Sequence, residues 1–371
     1  MGYGIIKNGV GVYIPETFVD NYKYVEEGNL VKRPEDRTLP EKITLGLGIK
    51  ERRKVPASDN STTLAVKASK NAIERAGINP EDIACVYFAT ESPVNAVAPP
   101  TELIETLGLK NETKMHLNIF TCAGGMLAIE TACNEMHSPK YRGKYILVVS
   151  SDTAQAYIGD ELENTVGDGA CAFLIGENPV AELVDSFVYT SSTKDFWREN
   201  GDKAPSHKGK ETVKAYKNHV IGSIKGLLNK GYEINQFSKI GVHSPFPKII
   251  EWLRRDDKEP KIENNPLEEL LEEDFRRKTK IARETGARTG NPYSATIGII
   301  FSNMLEQSVR EEDLLLCSYG SGATAISMYW RTHDGIELLK NGKTVEKQLE
   351  SKKEISPSTA KQWLEERIKK H

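Results

Sequence analysis

Short runs of apolar residues recur along the chain at the length of buried strands, and segments with helical periodicity separate them. The runs are Ile83 to Ala89, Tyr145 to Ser150, Ala170 to Ile175, Ile240 to His243 and Leu314 to Ser318. Strands that alternate with helices usually form sheets that are covered by helices. The pattern therefore predicts an α/β protein with largely covered sheets.

The clearest helical pattern follows the polar triplet Asp59-Asn60-Ser61 and stops at Gly77. Asparagine and serine are common at helix N-termini, and glycine is common just past the C-terminus. One apolar stripe runs along the predicted helix, formed by Leu64, Ala65, Ala68, Ala72, Ile73 and Ala76. The stripe indicates that this helix packs against the core.

Two segments are dominated by charged residues. Residues 254–288 read as a loop that leads into an exposed helix, and we interpret them as an insertion beside the core. Residues 331–371 are charged and helix-prone, with a Ser-Pro break at 356–357. This second segment is expected to be a peripheral helical tail rather than a second domain.

Composition excludes several classes of function. The 371 residues carry 50 basic and 53 acidic side chains, so the formal net charge of -3 provides no overall basic field for nucleic acid. The five cysteines lack paired CxxC spacing and are too sparse for a secreted disulfide scaffold. No apolar run approaches the roughly 18 residues that span a bilayer. These features favour a cytoplasmic protein that does not bind membranes.

The sharpest local feature is FTCAGGMLAIETACNEM, in which Cys122 follows the apolar segment Leu117 to Phe120 and precedes good helix formers. A thiol near a helix start is expected to have a lowered pKa, because backbone amides and the helix dipole stabilise the thiolate. Gly124 and Gly125 leave room for a substrate or another backbone. Cys122 is therefore a candidate nucleophile, and a small buried core cysteine is the alternative.

Two further candidates stand at the ends of predicted strands. Glu91, in FATESPV, directly follows a buried strand, where partial burial would suit it for acid or base work. It could equally cap a neighbouring helix. His243, in GVHSPFPK, ends a strand before a loop that contains Pro245 and Pro247. Such a strand end can hold an imidazole above a pocket, although a lone histidine is more often structural.

Polar turns supply the remaining candidates. Asn291 in TGNPYSAT could donate to an oxyanion, and Ser321 lies between two glycines in SYGSGATA, whose backbone amides could reach a reaction centre. Both segments could also be ordinary turns. No HExxH, paired CxxC, GxSxG or early GxGxxG pattern is present, so metal sites, serine hydrolases and nicotinamide enzymes are not supported.

Taken in chain order, Glu91, Cys122, His243, Asn291 and the SYGSG loop resemble the active-site series of the 3-hydroxy-3-methylglutaryl-CoA synthase family, within the thiolase superfamily. TCAGG is similar to the nucleophile segment, GVHSPFPK to the histidine segment and TGNPYSAT to the asparagine turn. SDTAQAYIGDELENTVGDGACAFLIG and YTSSTKDFWR also resemble family segments, especially those of archaeal members. The resemblance covers about residues 1 to 330.

The resemblance implies a condensation of acetyl-CoA with acetoacetyl-CoA in the mevalonate pathway. Cys122 would carry the acetyl group as a thioester, and Glu91 would remove a proton from its methyl group. His243, assisted by Asn291, would protonate or orient the ketone oxygen of acetoacetyl-CoA. Water would then release 3-hydroxy-3-methylglutaryl-CoA.

By the same resemblance, Thr165, Thr212 and Ser321 are expected to contact substrate through their hydroxyl groups. Lys248 is expected to contact a phosphate of coenzyme A. Coenzyme A serves as the carrier of the substrates, and no metal or redox cofactor is expected.

The implied fold is the thiolase-like layered αβαβα arrangement of two similar halves. The first half, residues 1–180, carries Glu91 and Cys122, and the second, residues 181–330, carries His243 and Asn291. The resemblance also implies a homodimer, and a larger complex with a thiolase is open.

Other functions remain as alternatives. A ketoacyl synthase III-like or other thiolase-superfamily enzyme would use a different acceptor, carried by coenzyme A or an acyl carrier protein, and fold alone does not choose among acceptors. A Cys-His-Asn set is expected of ketoacyl synthases, so the combination of Glu91, Cys122 and His243 favours the synthase. A non-catalytic scaffold subunit of an acyl-transfer complex is the rival from another class.

Overall fold

The computed structural model describes residues 2–29, 32–37, 39–92, 98–119, 121–199, 202–255 and 259–370. Several residues of the segments singled out above lie outside the described residues. These are Phe120 before Cys122, Pro93 and Val94 of FATESPV, and residues 256–258 of the charged insertion.

The elements alternate along the chain as the apolar pattern predicts. The strands are β1 (Tyr3–Tyr13), β2 (Thr17–Asp20), β3 (Glu51–Arg53), β4 (Ile83–Thr90), β5 (Lys114–Ile119), β6 (Tyr145–Thr153), β7 (Asp168–Glu177), β8 (Ala181–Thr190), β9 (Phe196–Trp197), β10 (Ser206–His207), β11 (Lys239–Val242), β12 (Asp313–Gly320), β13 (Thr324–Thr332) and β14 (Lys353–Glu354). The helices are α1 (Asn21–Asn29), α2 (Pro40–Leu47), α3 (Ser61–Ala76), α4 (Pro99–Thr106), α5 (Gly124–Glu135), α6 (Lys210–Leu228), α7 (Lys248–Arg254), α8 (Glu272–Lys278), α9 (Lys280–Thr289), α10 (Tyr293–Glu306), α11 (Val345–Glu350) and α12 (Pro357–Lys370). The five predicted strand runs are confirmed in β4, β6, β7, β11 and β12, except that β11 ends at Val242, one residue before His243.

Within the described residues, nine strands form one sheet in the order β11-β12-β13-β8-β1-β7-β6-β4-β5. On one side of the centre, β1 pairs with β7 and β7 pairs with β6, both antiparallel. The next pair, β6 with β4, is parallel. The other side repeats this pattern, since β8 pairs with β13, β13 with β12, and β12 with β11 in the same three orientations. The chain is therefore built from two similar halves, whose expected boundary at residue 180 stays a prediction.

Helices complete the layers. On the first half, α3 packs against β1, β7 and β6, and α6 packs in the same way against β8, β13 and β12. Between the halves, α10 contacts β6 and β7 on one side and β11 and β12 on the other, and it also packs against α5. All residues of α10 are buried, which is consistent with a place in the middle layer. The two halves of the nine-stranded sheet supply the two β layers. The layers are therefore α3, the first half of the sheet, α5 with α10, the second half of the sheet, and α6, which is the expected αβαβα arrangement.

The predicted helix from Ser61 to Gly77 is α3. Asn60 caps its first turn by accepting a hydrogen bond from the Thr63 backbone amide, and Gly77 ends it in the left-handed conformation, at φ +65°. The apolar stripe faces the sheet: Leu64, Ala65, Ala68 and Ala72 are fully buried. The prediction of a packing helix is confirmed.

Both charged segments were expected to lie outside the core, and this expectation is wrong for large parts of them. In the segment 254–288, Leu267, Leu270 and Phe275 belong to the main hydrophobic cluster. The tail contributes Val345 and Leu349 to the same cluster. Apolar residues spaced among charged ones give these segments one buried face, which an overall charge count does not reveal.

Helix α12 is anchored by a buried ion pair. The two terminal nitrogens of Arg367 each donate to Asp168 at 3.1 Å, and one of them also donates to the carbonyl of Val55 at 3.0 Å. Arg367 is 3% exposed and Asp168 is 1% exposed. Since breaking one partner of such a pair leaves an uncompensated buried charge, α12 is held to the first half as part of the body of the protein.

Candidate active site

Cys122 and Glu91 form a buried pair. Glu91 directly follows β4, and Cys122 stands two residues before the start of α5. Their side chains are hydrogen-bonded to each other, with Cys122 9% exposed and Glu91 6% exposed. Burial and, to a smaller extent, the neighbouring Asp152 carboxyl group raise the pKa of Glu91 to about 8, although Cys122 and Arg198 act in the opposite direction. A carboxyl group thus becomes a base suited to neutral or mildly alkaline pH.

The expected low pKa of Cys122 is wrong. Burial raises its pKa well above the ordinary value, and the carboxyl groups of Glu91 and Asp152 raise it as well. The helix dipole falls off within the first turn of α5, and desolvation beside two acidic groups outweighs it. Cys122 is therefore a neutral thiol at rest, and a base must take its proton when the sulfur attacks.

Asp152, at the end of β6, organises the same region. One carboxylate oxygen accepts hydrogen bonds from the hydroxyl of Thr90 at 2.9 Å, the amides of Glu91 and Ser92 at 2.8 Å each, and the hydroxyl of Ser92 at 2.8 Å. The other accepts from the Ser294 amide at 2.8 Å and its hydroxyl at 2.5 Å. Asp152 thereby joins the end of β4, which carries Glu91, to the first turn of α10.

The SYGSG loop lies against the nucleophile. A Cβ atom added to Gly320 would lie 3.0 Å from the backbone nitrogen of Cys122 and 2.8 Å from that of Ala123, so only glycine fits. The loop is fastened by Asp195, whose carboxylate accepts from the hydroxyl of Tyr319 at 2.8 Å and from the amide of Gly322 at 3.1 Å. The predicted approach of this loop to the reaction centre is present in the geometry.

A cavity of about 210 Å³ opens onto Glu91. It is lined by Glu91, Phe196, Trp197, Arg198, Pro205, Tyr293, Ser321 and Gly322. Tyr293 and the partly buried Phe196 also pack with Cys122 in one small apolar cluster. The cavity therefore brings the acid of the first half together with the SYGSG loop and the start of α10.

His243 lies just past β11, at the position in the second half that corresponds to Glu91 in the first. Two hydrogen bonds hold its backbone. The His243 amide donates to the backbone carbonyl of Cys317 at 2.8 Å, and the His243 carbonyl accepts from the Tyr216 hydroxyl at 2.7 Å. The side chain is 2% exposed, and burial lowers the pKa of His243 to about 3. The imidazole is consequently neutral at physiological pH.

Asn291 lies two residues before α10, as Cys122 lies two residues before α5. Its backbone amide donates to the backbone carbonyl of Thr165 at 2.8 Å, and its backbone carbonyl accepts from the amide of Gly167 at 3.1 Å. The hydroxyl of Thr296 donates to Asn291 Oδ1 at 2.8 Å, which leaves the NH₂ group as the end of the amide that can donate elsewhere.

The other predicted positions are more dispersed. The hydroxyl of Thr165 donates to Leu162 at 2.8 Å, and that of Thr212 donates to the carbonyl of Asp195 at 2.7 Å, so both already have protein acceptors. Lys248 begins α7 at the surface, where it pairs with Glu251 at 2.6 Å. Of these residues and Ser321, only Ser321 is among those that line the cavity.

The described residues contain neither a cluster suited to a metal ion nor a helix suited to a membrane. In this part of the chain, no three or more His, Cys, Asp or Glu side chains are grouped so that they could hold a metal ion. No helix within it has the length and apolar character needed to cross a membrane.

Comparison with known proteins identifies the family. The profile described as "Hydroxymethylglutaryl-coenzyme A synthase N terminal" matches residues 3–180. The hydroxymethylglutaryl-CoA synthase of Archaeoglobus fulgidus is 33% identical over 299 residues, which cover 80% of this chain and 82% of the relative. That of Methanocaldococcus jannaschii is 33% identical over 338 residues, or 90% of each chain. This chain belongs to the hydroxymethylglutaryl-CoA synthase family.

The resemblance noted in the sequence to this family and to its archaeal members is confirmed, and the chain is an acyltransferase-type condensing enzyme. A solved structure described as "MvaS in complex with 3-hydroxy-3-methylglutaryl coenzyme A" superposes with a TM-score of 0.85 at 22% identity, covering 98% of this chain and 91% of the other. That match confirms the fold of a hydroxymethylglutaryl-CoA synthase.

Three site residues were not singled out from the sequence. Asp152 and Asp195 stand in SDTAQ and YTSSTKDFWR, two segments that resemble the synthase family, and Arg198 ends the second. Membership of these segments in the hydroxymethylglutaryl-CoA synthase pattern was the available signal. The side chains themselves follow no local motif, because Asp152 contacts residues about 60 and 142 positions away.

Proposed function

We propose that this chain condenses acetyl-CoA with acetoacetyl-CoA and water to give 3-hydroxy-3-methylglutaryl-CoA and free coenzyme A, with Cys122 carrying the acetyl group. The observation that carries the proposal is the buried, hydrogen-bonded pair of Cys122 and Glu91 beside a cavity, in a member of this family. A thiol and a carboxyl group in contact supply a nucleophile and a proton acceptor at one point.

The first step is acylation of Cys122. Its sulfur attacks the carbonyl carbon of acetyl-CoA, and the bond from that carbon to the coenzyme A sulfur breaks. Because Cys122 starts as a neutral thiol, its proton passes to the carboxylate form of Glu91 through their hydrogen bond. The proton then moves to the departing coenzyme A sulfur, which leaves as a thiol. Glu91 is again a carboxylate beside the new acetyl group.

The second step is condensation. Glu91 takes a proton from the acetyl methyl group, and the resulting carbanion attacks the ketone carbon of acetoacetyl-CoA. Negative charge then grows on the ketone oxygen, and the proton that Glu91 took from the methyl group ends on this oxygen as the 3-hydroxyl, which returns Glu91 to its carboxylate form. Neutral His243 serves as an N–H hydrogen-bond donor to that oxygen rather than as a cationic acid, because its pKa is about 3. The NH₂ group of Asn291 is assigned as a second donor, oriented by Thr296.

The remaining predicted residues are assigned to contacts with the substrates and coenzyme A, or to holding the shape of the site. Ser321 is assigned to substrate contact because it lines the cavity. Thr165 and Thr212 support the site by holding the loop before Asn291 and the Asp195 segment, respectively. Lys248 supplies a cation for a coenzyme A phosphate, which would compete with Glu251 for it. No further cofactor is required by this scheme.

A homodimer is part of the proposal. Among the described residues, β5 pairs with β4 alone and lies at the edge of the nine-stranded sheet. Met115 on this strand is 45% exposed. An edge strand with unpaired backbone groups and an exposed apolar side chain is suited to pairing with a second copy. The size and composition of the assembly in solution would show whether two copies pair and whether a thiolase joins them.

The deciding experiment uses the purified chain with both thioesters. We expect loss of the enolate absorbance of acetoacetyl-CoA, release of one free thiol for each product formed, and an acetyl group on Cys122 by mass spectrometry after rapid acid quenching. Cys122→Ala serves as the control that removes the acetyl group and turnover together. Labelling of Cys122 without consumption of acetoacetyl-CoA would point to another acceptor, such as an acyl carrier protein. Coenzyme A binding without any labelling would point to a scaffold subunit.

A further inference from the structure

Arg198 brings a positive charge to a cavity that otherwise presents acidic and neutral groups. It lines the cavity together with Glu91, Tyr293 and Ser321. Its side chain is partly buried, and its Nε atom is shielded from solvent. Its charge acts on Glu91 and on Tyr293, a residue that itself packs with Cys122. Arg198 thus belongs to the immediate electrostatic surroundings of the nucleophile.

The segment that carries Arg198 is fixed to the site rather than free at the surface. Three residues earlier, Asp195 is fully buried and accepts hydrogen bonds from Tyr319 and Gly322 of the SYGSG loop. Trp197, which also lines the cavity, lies under the ammonium group of Lys194, 4.7 Å from its ring centroid. These contacts tie the position of Arg198 to the loop that touches the Cys122 backbone.

The proposed reaction creates a carboxylate at a carbon that is part of a neutral thioester in the substrate. Acylation and condensation place negative charge on the reacting oxygens only in passing, whereas the last step, in which water attacks the Cys122 thioester, ends in a lasting anion. That step forms a carbon–oxygen bond and breaks the carbon–sulfur bond. Cys122 keeps one proton as a thiol, the product leaves as a carboxylate, and one proton is released to solvent. The new carboxylate arises beside Glu91 and Asp152, two groups of the same charge sign.

We propose that Arg198 is a catalytic residue for this hydrolysis, binding the carboxylate that replaces the thioester as it forms. A guanidinium group presents paired N–H donors that match a carboxylate, and charge-assisted bonds in a shielded cavity are strong. The inference rests on the proposed function, and it adds a role for the cation in the one step that ends in an anion. Acylation and carbanion formation require it less, because no carboxylate is made there.

The test separates deacylation from acylation in Arg198→Gln, Arg198→Lys, wild type and Lys214→Gln. Lys214 is a matched control that removes one positive charge from the exposed side of α6, where it pairs with Glu211. With acetyl-CoA alone, acid quenching and mass spectrometry give the rate of Cys122 acetylation, and acetate release gives the rate of deacylation. With acetoacetyl-CoA added, the same method detects the condensed product still bound to Cys122.

We expect Arg198→Gln to acetylate Cys122 within about threefold of the wild-type rate and to release acetate at least about tenfold more slowly, since the forming carboxylate loses a charged donor. The condensed thioester should accumulate on Cys122. Arg198→Lys should recover part of the deacylation rate, because the charge returns without the forked geometry. Lys214→Gln should behave as wild type.

A run across about pH 6 to about pH 9 separates charge stabilisation from an effect on Glu91. Slow deacylation that persists on the alkaline plateau of each variant's own profile, where Glu91 is a carboxylate, supports the proposal. It is overturned if only the pH midpoint moves, if deacylation is unchanged, or if acylation and deacylation fall in parallel. If wild-type Cys122 is never acetylated, the proposed function fails first and this inference falls with it.

Discussion

The two halves of the molecule use one framework for opposite electrostatic purposes. Glu91 and His243 follow equivalent strands, β4 and β11, and Cys122 and Asn291 each stand two residues before a central helix. In the first half, burial places a thiol against a carboxyl group and raises the pKa of both. In the second half, burial lowers the pKa of the imidazole, and its partner position holds an amide that does not ionise.

The difference shows that the direction in which burial shifts a pKa depends on which form of the group is charged. Desolvation always disfavours the charged form, so it turns carboxyl and thiol groups into stronger bases and turns an imidazole into a weaker one. Under the proposed reaction, the first half moves protons and carries the acyl group. The second half stabilises charge with neutral donors. Variants that affect only one half test this difference between them.

The largest effect is expected for Cys122→Ala. Removal of the sulfur eliminates the covalent intermediate, so both acetylation and condensation should fall to background. Mass spectrometry after exposure to acetyl-CoA measures the first, and consumption of acetoacetyl-CoA measures the second. Asn291→Ala is the matched control at the equivalent position of the second half, and it should still be acetylated. Residual turnover in Cys122→Ala would refute the assignment of the nucleophile.

Glu91→Gln should lower the rate of condensation by roughly a thousandfold, because the amide keeps the shape of the side chain but cannot accept the methyl proton. A sensitive readout is exchange of the acetyl methyl protons with deuterated water, measured after acetylation is complete because Glu91 also takes the Cys122 proton in that step. That exchange should disappear in Glu91→Gln and persist in Asn291→Ala. Unchanged exchange would mean that another group is the base.

Asn291→Ala should slow condensation on the order of a hundredfold, which corresponds to the loss of one oxyanion donor. Acetylation of Cys122 should change little. Single-turnover measurements with preacetylated enzyme isolate the step. An equal loss in acetylation would instead indicate that the backbone bonds of Asn291 to Thr165 and Gly167 shape the whole site.

The pH dependence should distinguish the halves most finely. The carboxylate form of Glu91 is the base, and its pKa is raised to about 8, so the condensation rate should rise as pH increases and level off above that value. His243, whose pKa is about 3, should add no inflection near neutrality. A profile of single-turnover condensation checks both statements. A rate that falls as pH rises through about 8 would contradict the assigned base.

Much of the framework follows from local sequence. The predicted strand from Ile83 to Ala89 is β4, and the helix from Ser61 to Gly77 is α3, because strand and helix periods and end signals are properties of neighbouring residues. Long charged segments misled the same reasoning. Val345 and Arg367 are buried although they stand among charged residues, since one face of a short helix is enough to join a core.

The α/β class, the main buried strands and, through the order of the motifs, the family of the chain all follow from the amino-acid sequence. The protonation states of the candidate groups follow only from the folded structure. Cys122 looked like a thiolate from its place before a helix, but it contacts Glu91, just past β4, and feels the charge of Asp152 in β6, which lie about 30 residues away in each direction. Desolvation and charge act through space, so a pKa depends on neighbours that folding brings together.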